Sequence, residues 1–288
     1  MTSELSPQFS QGYKSRYIVL PLPYEKTTSY KKGTKRGPAA IIKALNQVEF
    51  YDEEIKVETH DAGIHVIPEK MVKLPFNSEP EKFLPLLSKY AEPFVEYNHF
   101  LASLGGEHSI TFGLVKPFSE KYKNLSVLHL DAHSDLRDEY HGTSFSHAAV
   151  MRRVSELCPV TQVGIRSLSE NDWKIMNKGN ITTFLAHEMR KYKLEEIARK
   201  IRKSLTRNVY LSIDLDVFDP ACMPGVGTPE PGGLSWYEVL DIVRPVFEKH
   251  NVVGMDIVEL CPLADNNISE FTAAKLLYRL IGYSFNSR

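Results

Sequence analysis

The sequence is short of cysteine, carries no surplus of charge and has no long apolar run, and each shortage excludes a class of protein. The three cysteines, Cys158, Cys222 and Cys261, are odd in number and far apart in a chain of 288 residues. They make neither a disulfide framework nor a Cys-based zinc site, and they suit a reducing, cytoplasmic setting as small buried hydrophobes. Basic residues number 35 against 36 acidic, a net charge of −1. With no basic block there is no electrostatic footprint for nucleic acid, and no such partner is expected. No apolar stretch approaches the roughly 18 residues of a membrane helix, and Met1 to Arg16 contain no apolar leader core. Neither a membrane span nor a signal peptide is expected.

What is present is ordinary globular composition, 42% hydrophobic and 25% charged, enough to bury a sizeable core. Short β-branched runs at 16–20, 99–104, 125–130, 160–165, 181–184, 208–213 and 252–257 are apolar on both faces, as buried parallel strands are. Helical patterns fall between them. One opens at Gly37-Pro38, with proline at the first helical position. Ser78-Glu79-Pro80-Glu81 has capping-box spacing ahead of a helix to about Tyr97. Others cover 193–205, 235–249 and 269–284. Alternating β and α elements predict an α/β fold with a mostly parallel, doubly wound sheet. No repeat or linker divides the chain, so residues 1–288 are read as one domain, with 1–15 a flexible or peripheral segment. Residues 67–81 resist assignment. Asp219 to Gly233 alternates Pro220, Pro224, Pro229 and Pro231 with Gly225, Gly227, Gly232 and Gly233. A loop this long is usually functional, and its prolines predict an ordered rim.

Chemistry gathers at the strand ends. Asp131-Ala132-His133-Ser134-Asp135 follows one apolar run and Asp214-Leu215-Asp216 another, placing ligand-type side chains at alternate positions. His108, in Gly105-Gly106-Glu107-His108, follows a third, and Glu259 a fourth. In open α/β sheets such carboxyl ends are where sites form. Singly, each residue has an ordinary explanation: His108 as a turn residue, Asp131 or Asp214 as a cap. Together, four carboxylates and two imidazoles exceed what one catalytic ion with an open position needs, and they suit two. Oxygen-rich ligation without thiolate favours Mn²⁺, with cobalt, nickel or zinc as possible substitutes. Two adjacent divalent ions would deprotonate water near neutral pH, a nucleophile fit for a planar, resonance-stabilised carbon.

These motifs, with Gly227-Thr228-Pro229-Glu230-Pro231-Gly232-Gly233-Leu234, Ser29-Tyr30 to Gly33 and Gly37-Pro38-Ala39-Ala40-Ile41, resemble the signatures of the ureohydrolases, the arginase–agmatinase family. The resemblance runs from about residue 17 to 282. It implies a three-layer α/β/α sandwich that hydrolyses a small guanidino substrate to urea and an amine, with two Mn²⁺ per subunit in a homo-oligomer, trimer or hexamer. It implies that one ion is held by His108, Asp131, Asp135 and Asp214, and the other by Asp131, His133, Asp214 and Asp216. Asp135 would also orient the nucleophile, and Glu259 would hold the guanidinium, whose planar fork its two oxygens match.

A histidine with a pKa near working pH would carry the proton to the leaving amine. His141, which precedes a glycine, is the first choice, and His147, in Ser146-His147-Ala148, is the other. The segment between Asp135 and His141 is shorter than in arginases, and Gly164-Ile165-Arg166-Ser167-Leu168-Ser169 lacks the acidic residues that arginases carry there. Both departures favour a substrate without an amino-acid head, agmatine first, its ammonium meeting Asp138 or Glu139. Arg137 keeps a guanidino acid such as guanidinobutyrate open. A formimino compound on the same scaffold, or a catalytically silent metal-stabilised binding protein, are the remaining readings.

Overall fold

The computed structural model describes residues 6–176 and 178–287. Among the described residues ten strands follow one another: β1 Tyr17–Leu22, β2 Tyr51–Asp52, β3 Val57–Glu58, β4 Ile64–Val66, β5 Phe100–Gly105, β6 Leu125–Leu130, β7 Val160–Ile165, β8 Ile181–Leu185, β9 Asn208–Asp214 and β10 Asn251–Val258. Eight make one sheet in the order β4-β1-β5-β10-β9-β6-β7-β8, and every neighbouring pair is parallel. The remaining two, β2 and β3, form a small antiparallel hairpin. Strands β1, β5, β6 and β7 are buried at every position. That is why they read as continuous apolar runs rather than alternating ones.

Helices cover both faces, giving three α/β/α layers. On one face α1 Gly37–Leu45, α7 Leu194–Ser204, α8 Trp236–Lys249 and α9 Ile268–Asn286 bury Ile41, Ile201, Val243 and Leu277 against the sheet. On the other, α2 Pro80–Glu96, α3 Ile110–Lys121 and α4 Val150–Ser155 bury Phe83, Leu87, Leu114 and Val154. The short helices α5 Glu170–Ile175 and α6 Ala186–Met189 complete the set. None of the described helices is long and apolar enough to cross a membrane.

Local chemistry explains the helix starts. Pro38 opens α1. The Ser235 hydroxyl accepts from the Glu238 N–H while the Glu238 carboxylate accepts from the Ser235 N–H, a capping box at α8. The box expected at Ser78 does not form. Glu79 rather than Ser78 is the N-cap of α2, without a side-chain bond, and Pro80 at the first helical position presets φ. Ser10 pairs with His65 beside β4, and Phe9 is buried against Phe50 and Tyr278. Residues 1–5 of the presumed peripheral segment lie outside the described residues.

Candidate active site

Four strands adjacent at the centre of the sheet, β5, β10, β9 and β6, end on one floor. The loop after β5 carries His108, and Glu259 directly follows β10. Asp214 closes β9 with Asp216 just beyond, and Asp131, His133 and Asp135 follow β6. Gly106 lets the first of these loops pass: a Cβ there would meet the Tyr24 carbonyl oxygen at 2.1 Å. Asp135 and Glu259 take left-handed backbones, φ 52° and 66°, costing about 1–3 kcal/mol each in strain and turning their side chains away from ordinary strand or turn directions.

All six presumed ligands come together. His108 Nδ1 lies 3.1 Å from Asp131 Oδ2, 3.3 Å from Asp135 Oδ2 and 3.3 Å from Asp214 Oδ2. It is buried and makes no well-formed hydrogen bond. The ring's other nitrogen explains this. Tyr210 and Thr111 donate to Asp256 Oδ2, and Ser212 spends its proton on Asp256 Oδ1 at 2.7 Å. The Ser212 oxygen therefore accepts from His108 Nε2–H at 2.9 Å, leaving Nδ1 to face the carboxylates, which raise the His108 pKa well above the ordinary histidine value although burial opposes this. Asp131 is common to two convergent donor groups, one with His108, His129 and Asp135, the other with His133 and Asp216. His133 Nδ1 is 2.8 Å from Asp216 Oδ2. Asp214 Oδ1 accepts the Asp216 N–H and Asp216 Oδ1 the Ala132 N–H, locking both motifs together.

His129 belongs to that first group by position, but its nitrogen is already committed. The Gln162 amide donates to His129 Nδ1 and to the Ser134 carbonyl, so His129 Nε2 carries the proton and gives it to Asp131 at 2.8 Å. It orients a ligand rather than being one. In the sequence it stands within an apolar strand and gives no signal. Ser212 and Asp256 escape sequence reasoning for the same reason.

Electrostatically the floor is poised for cations. Burial and the neighbouring Asp216 and Asp131 charges hold Asp214 well above the usual carboxylate range, and burial and Asp131 raise Asp216. Burial opposes charge on Asp131 too, but the imidazoles of His129, His108 and His133 pull it well below that range. Burial also opposes charge on His133, yet Asp216 and Asp131 push it up to about 12. Without cations, protons fill the role of compensating charge. Two divalent ions would neutralise the four carboxylates charge for charge, and His108 Nδ1, which makes no well-formed hydrogen bond, would gain a partner. The donor set fits a pair of metal ions.

A cleft of about 860 Å³, open to solvent, reaches this floor and is lined by Glu259, His147, Tyr140, Arg137, Thr228 and Asp172 among others. Glu259 Oε1 accepts the His108 N–H at 2.8 Å. Burial, then the Glu107 charge, raises its pKa well above the ordinary value. The two candidate histidines separate. His147 lines the cleft with its ring edge-on to Tyr140, whereas His141, also edge-on to Tyr140, is exposed and does not line the cleft. Asp138 is exposed and paired with Arg153 at 2.7 Å, and neither it nor Glu139 lines the cleft. The Arg166 guanidinium donates to the carbonyls of Gly164, Asp216, Val217, Phe218 and Glu230, so it fastens backbone rather than meeting solute. Beyond the acids of the floor, Asp172 also lines the cleft. Its Oδ2 accepts from the Ser134 hydroxyl and the Ser169 N–H, while its buried Oδ1 has no partner. Sequence reasoning stopped three residues short of it.

Comparison with known proteins agrees with this geometry. The profile of the arginase family matches residues 15–282. The chain is 41% identical over 273 residues to an N(1)-aminopropylagmatine ureohydrolase of Synechocystis sp., covering 92% of this chain and 88% of that protein. It is 36% identical over 277 residues to an agmatinase of Pyrococcus horikoshii, covering 93% and 92%. The crystal structure of the agmatine ureohydrolase of Thermoplasma volcanium superposes with a TM-score of 0.86 at 30% identity, covering 97% and 94%. A sheet of this order, a floor of paired aspartates and histidines, and these similarities place the chain in the arginase family, among its agmatinase-like ureohydrolases.

Proposed function

We propose that the chain hydrolyses a guanidino compound with a cationic amine tail, agmatine in its simplest form, to urea and the amine. The observation that carries the reading is Asp131, shared by two donor groups at the base of the cleft that also holds Glu259. His108, Asp131, Asp135 and Asp214 would hold one metal ion, and Asp131, His133, Asp214 and Asp216 the other. Manganese suits the oxygen-rich set, and a pair of such ions lowers the pKa of water enough to supply hydroxide near neutral pH.

The chain's own residues do the rest. Glu259 Oε1 is engaged by the His108 N–H, so Oε2 receives a guanidinium N–H and fixes the plane of the reacting carbon. Asp135, close to His108 at the floor, would orient the nucleophile through a hydrogen bond and steady the tetrahedral carbon. His147 at the wall delivers a proton to the departing amine, the role sequence reasoning gave first to His141. Burial lowers the His147 pKa below the ordinary histidine value, although Asp135 and Glu107 oppose this.

Asp172 favours an amine tail, since its carboxylate, part of the cleft lining, sets a negative charge close behind the wall that an ammonium would meet. The similarity to the Synechocystis protein favours a second reading, an agmatine extended by an aminopropyl group. Urea release from agmatine, N(1)-aminopropylagmatine, arginine and guanidinobutyrate, measured side by side with Mn²⁺-loaded protein, tests both. Preference for either amine-tailed compound upholds the proposal and chooses between its forms. Preference for arginine or guanidinobutyrate refutes it.

A further inference from the structure

One buried carboxylate is left over by this mechanism. Glu107, beside a presumed ligand yet turned away from the donor groups, is fully buried and meets no cationic side chain among the described residues. It accepts four hydrogen bonds, from the Lys26 and Thr27 N–H groups and from the Thr27 and Ser109 hydroxyls. Four donors fill the lone-pair directions of a carboxylate. They tie the loop after β1 to the loop after β5.

The Thr27 hydroxyl is the point where this network touches the cleft. Its oxygen is 2.7 Å from Glu107 Oε1, 3.0 Å from the His147 backbone N and 3.1 Å from His147 Nδ1. A hydroxyl has one proton to give. Held back from Glu107, it would leave two lone pairs facing each other at 2.7 Å, one on a charged group, so the proton lies on the Glu107 side as a charge-assisted bond. The oxygen then accepts twice, from the His147 N–H and from His147 Nδ1–H. That choice determines the tautomer: His147 is protonated on Nδ1, and its Nε2, which has no hydrogen-bond partner among the described residues, is the bare nitrogen.

Resting on the reading of His147 as the proton carrier, we propose that Thr27 is a positioning residue. It relays the Glu107 charge to His147 Nδ1, selects the tautomer with Nε2 free, and stabilises the imidazolium formed when Nε2 takes up a proton. The logic is that of a buried carboxylate orienting a catalytic histidine, with a hydroxyl interposed. Glu107 also holds Thr27 itself through its N–H, so ring and relay are fixed from the same carboxylate.

Two measurements test this. Ring ¹⁵N shifts of His147 in zinc-loaded protein, assigned by difference against His147→Asn, should show a protonated Nδ1 and a bare Nε2. In Thr27→Val this preference should disappear. In steady-state kinetics with the preferred guanidino substrate, Thr27→Val should lower kcat about tenfold to a hundredfold, the usual cost of losing an orienting partner, with KM little changed. Thr27→Ser, which keeps the hydroxyl, should restore both tautomer and kcat. A protonated Nε2 in the unsubstituted protein overturns the relay, as does a Thr27→Val loss confined to KM or unrelieved by serine. A fully active His147→Asn would instead overturn the assignment of the proton carrier, and the ring shifts would still report on the tautomer.

Discussion

The floor and the rim of the cleft are built in different ways. The floor is made by the ends of four adjacent strands, its aspartates are buried, and Asp131, Asp214, Asp216 and Glu259 are each held by a backbone N–H. The rim is made by loops, where the Arg137 guanidinium lies over the Tyr140 ring and Thr228, His147 and Asp172 join the lining from segments distant in sequence. The difference separates reaction from selection. Strand ends fix the atoms that must stay within tenths of an ångström, and loops supply the groups that decide which tail is admitted.

The comparison predicts that damage to the floor is near total. Asp131→Ala and Asp214→Ala each remove a carboxylate presumed to serve both ions. Elemental analysis should show about one metal lost per chain, with urea release all but abolished. An Asp131→Ala protein retaining two ions would break the division between floor and rim. Metal uptake should also release protons and weaken as pH falls. With His133 pushed up to about 12 and Asp214 raised, the metal-free floor holds protons that the ions must displace. Calorimetry in buffers of different ionisation enthalpy measures that release; none released would contradict the assigned donor set.

Glu259→Gln is expected to keep both ions and lose about tenfold to a hundredfold in kcat/KM, because a charged partner of the guanidinium becomes a neutral one. Metal loss in this variant would move Glu259 from the substrate to the metal site. The two histidines divide along the same line. His147→Asn should lower kcat by about 10²–10⁴, and His141→Asn should leave it little changed. The reverse result would restore the order suggested by the glycine after His141.

How much of this was legible in the sequence follows from the same division. The seven floor residues and the parallel sheet were readable because strand ends carry ligands at fixed alternate spacing and buried strands are apolar throughout. Strand β4 was not, since Ile64–Val66 is too short to show a pattern. Helix α3 was missed behind Gly113 and Pro117, which punctuate it. His129, Ser212 and Asp256 lie inside apolar strands, and only the fold shows that they face the ligands. The sequence did not show that His147 lines the cleft while His141 is exposed outside its lining. Asp172 was hidden because a capping box closed by aspartate rather than glutamate or glutamine breaks the usual signature.

The smallest expected effect is the most discriminating for the rim. In Asp172→Asn the side-chain oxygen can still accept from Ser134 and Ser169, so the cap of α5 survives and only the unpartnered oxygen is exchanged for an amide NH₂. An unpaired buried carboxylate costs stability, so the variant should melt slightly higher in the absence of substrate. Its kcat/KM for agmatine should fall about tenfold, the scale of one charge-assisted hydrogen bond. Guanidinobutyrate, whose tail ends in a carboxylate, should be turned over no worse and repelled less. A higher melting temperature with agmatine turnover intact would show that Asp172 is strain without purpose at this site, and that the amine tail is read elsewhere on the rim.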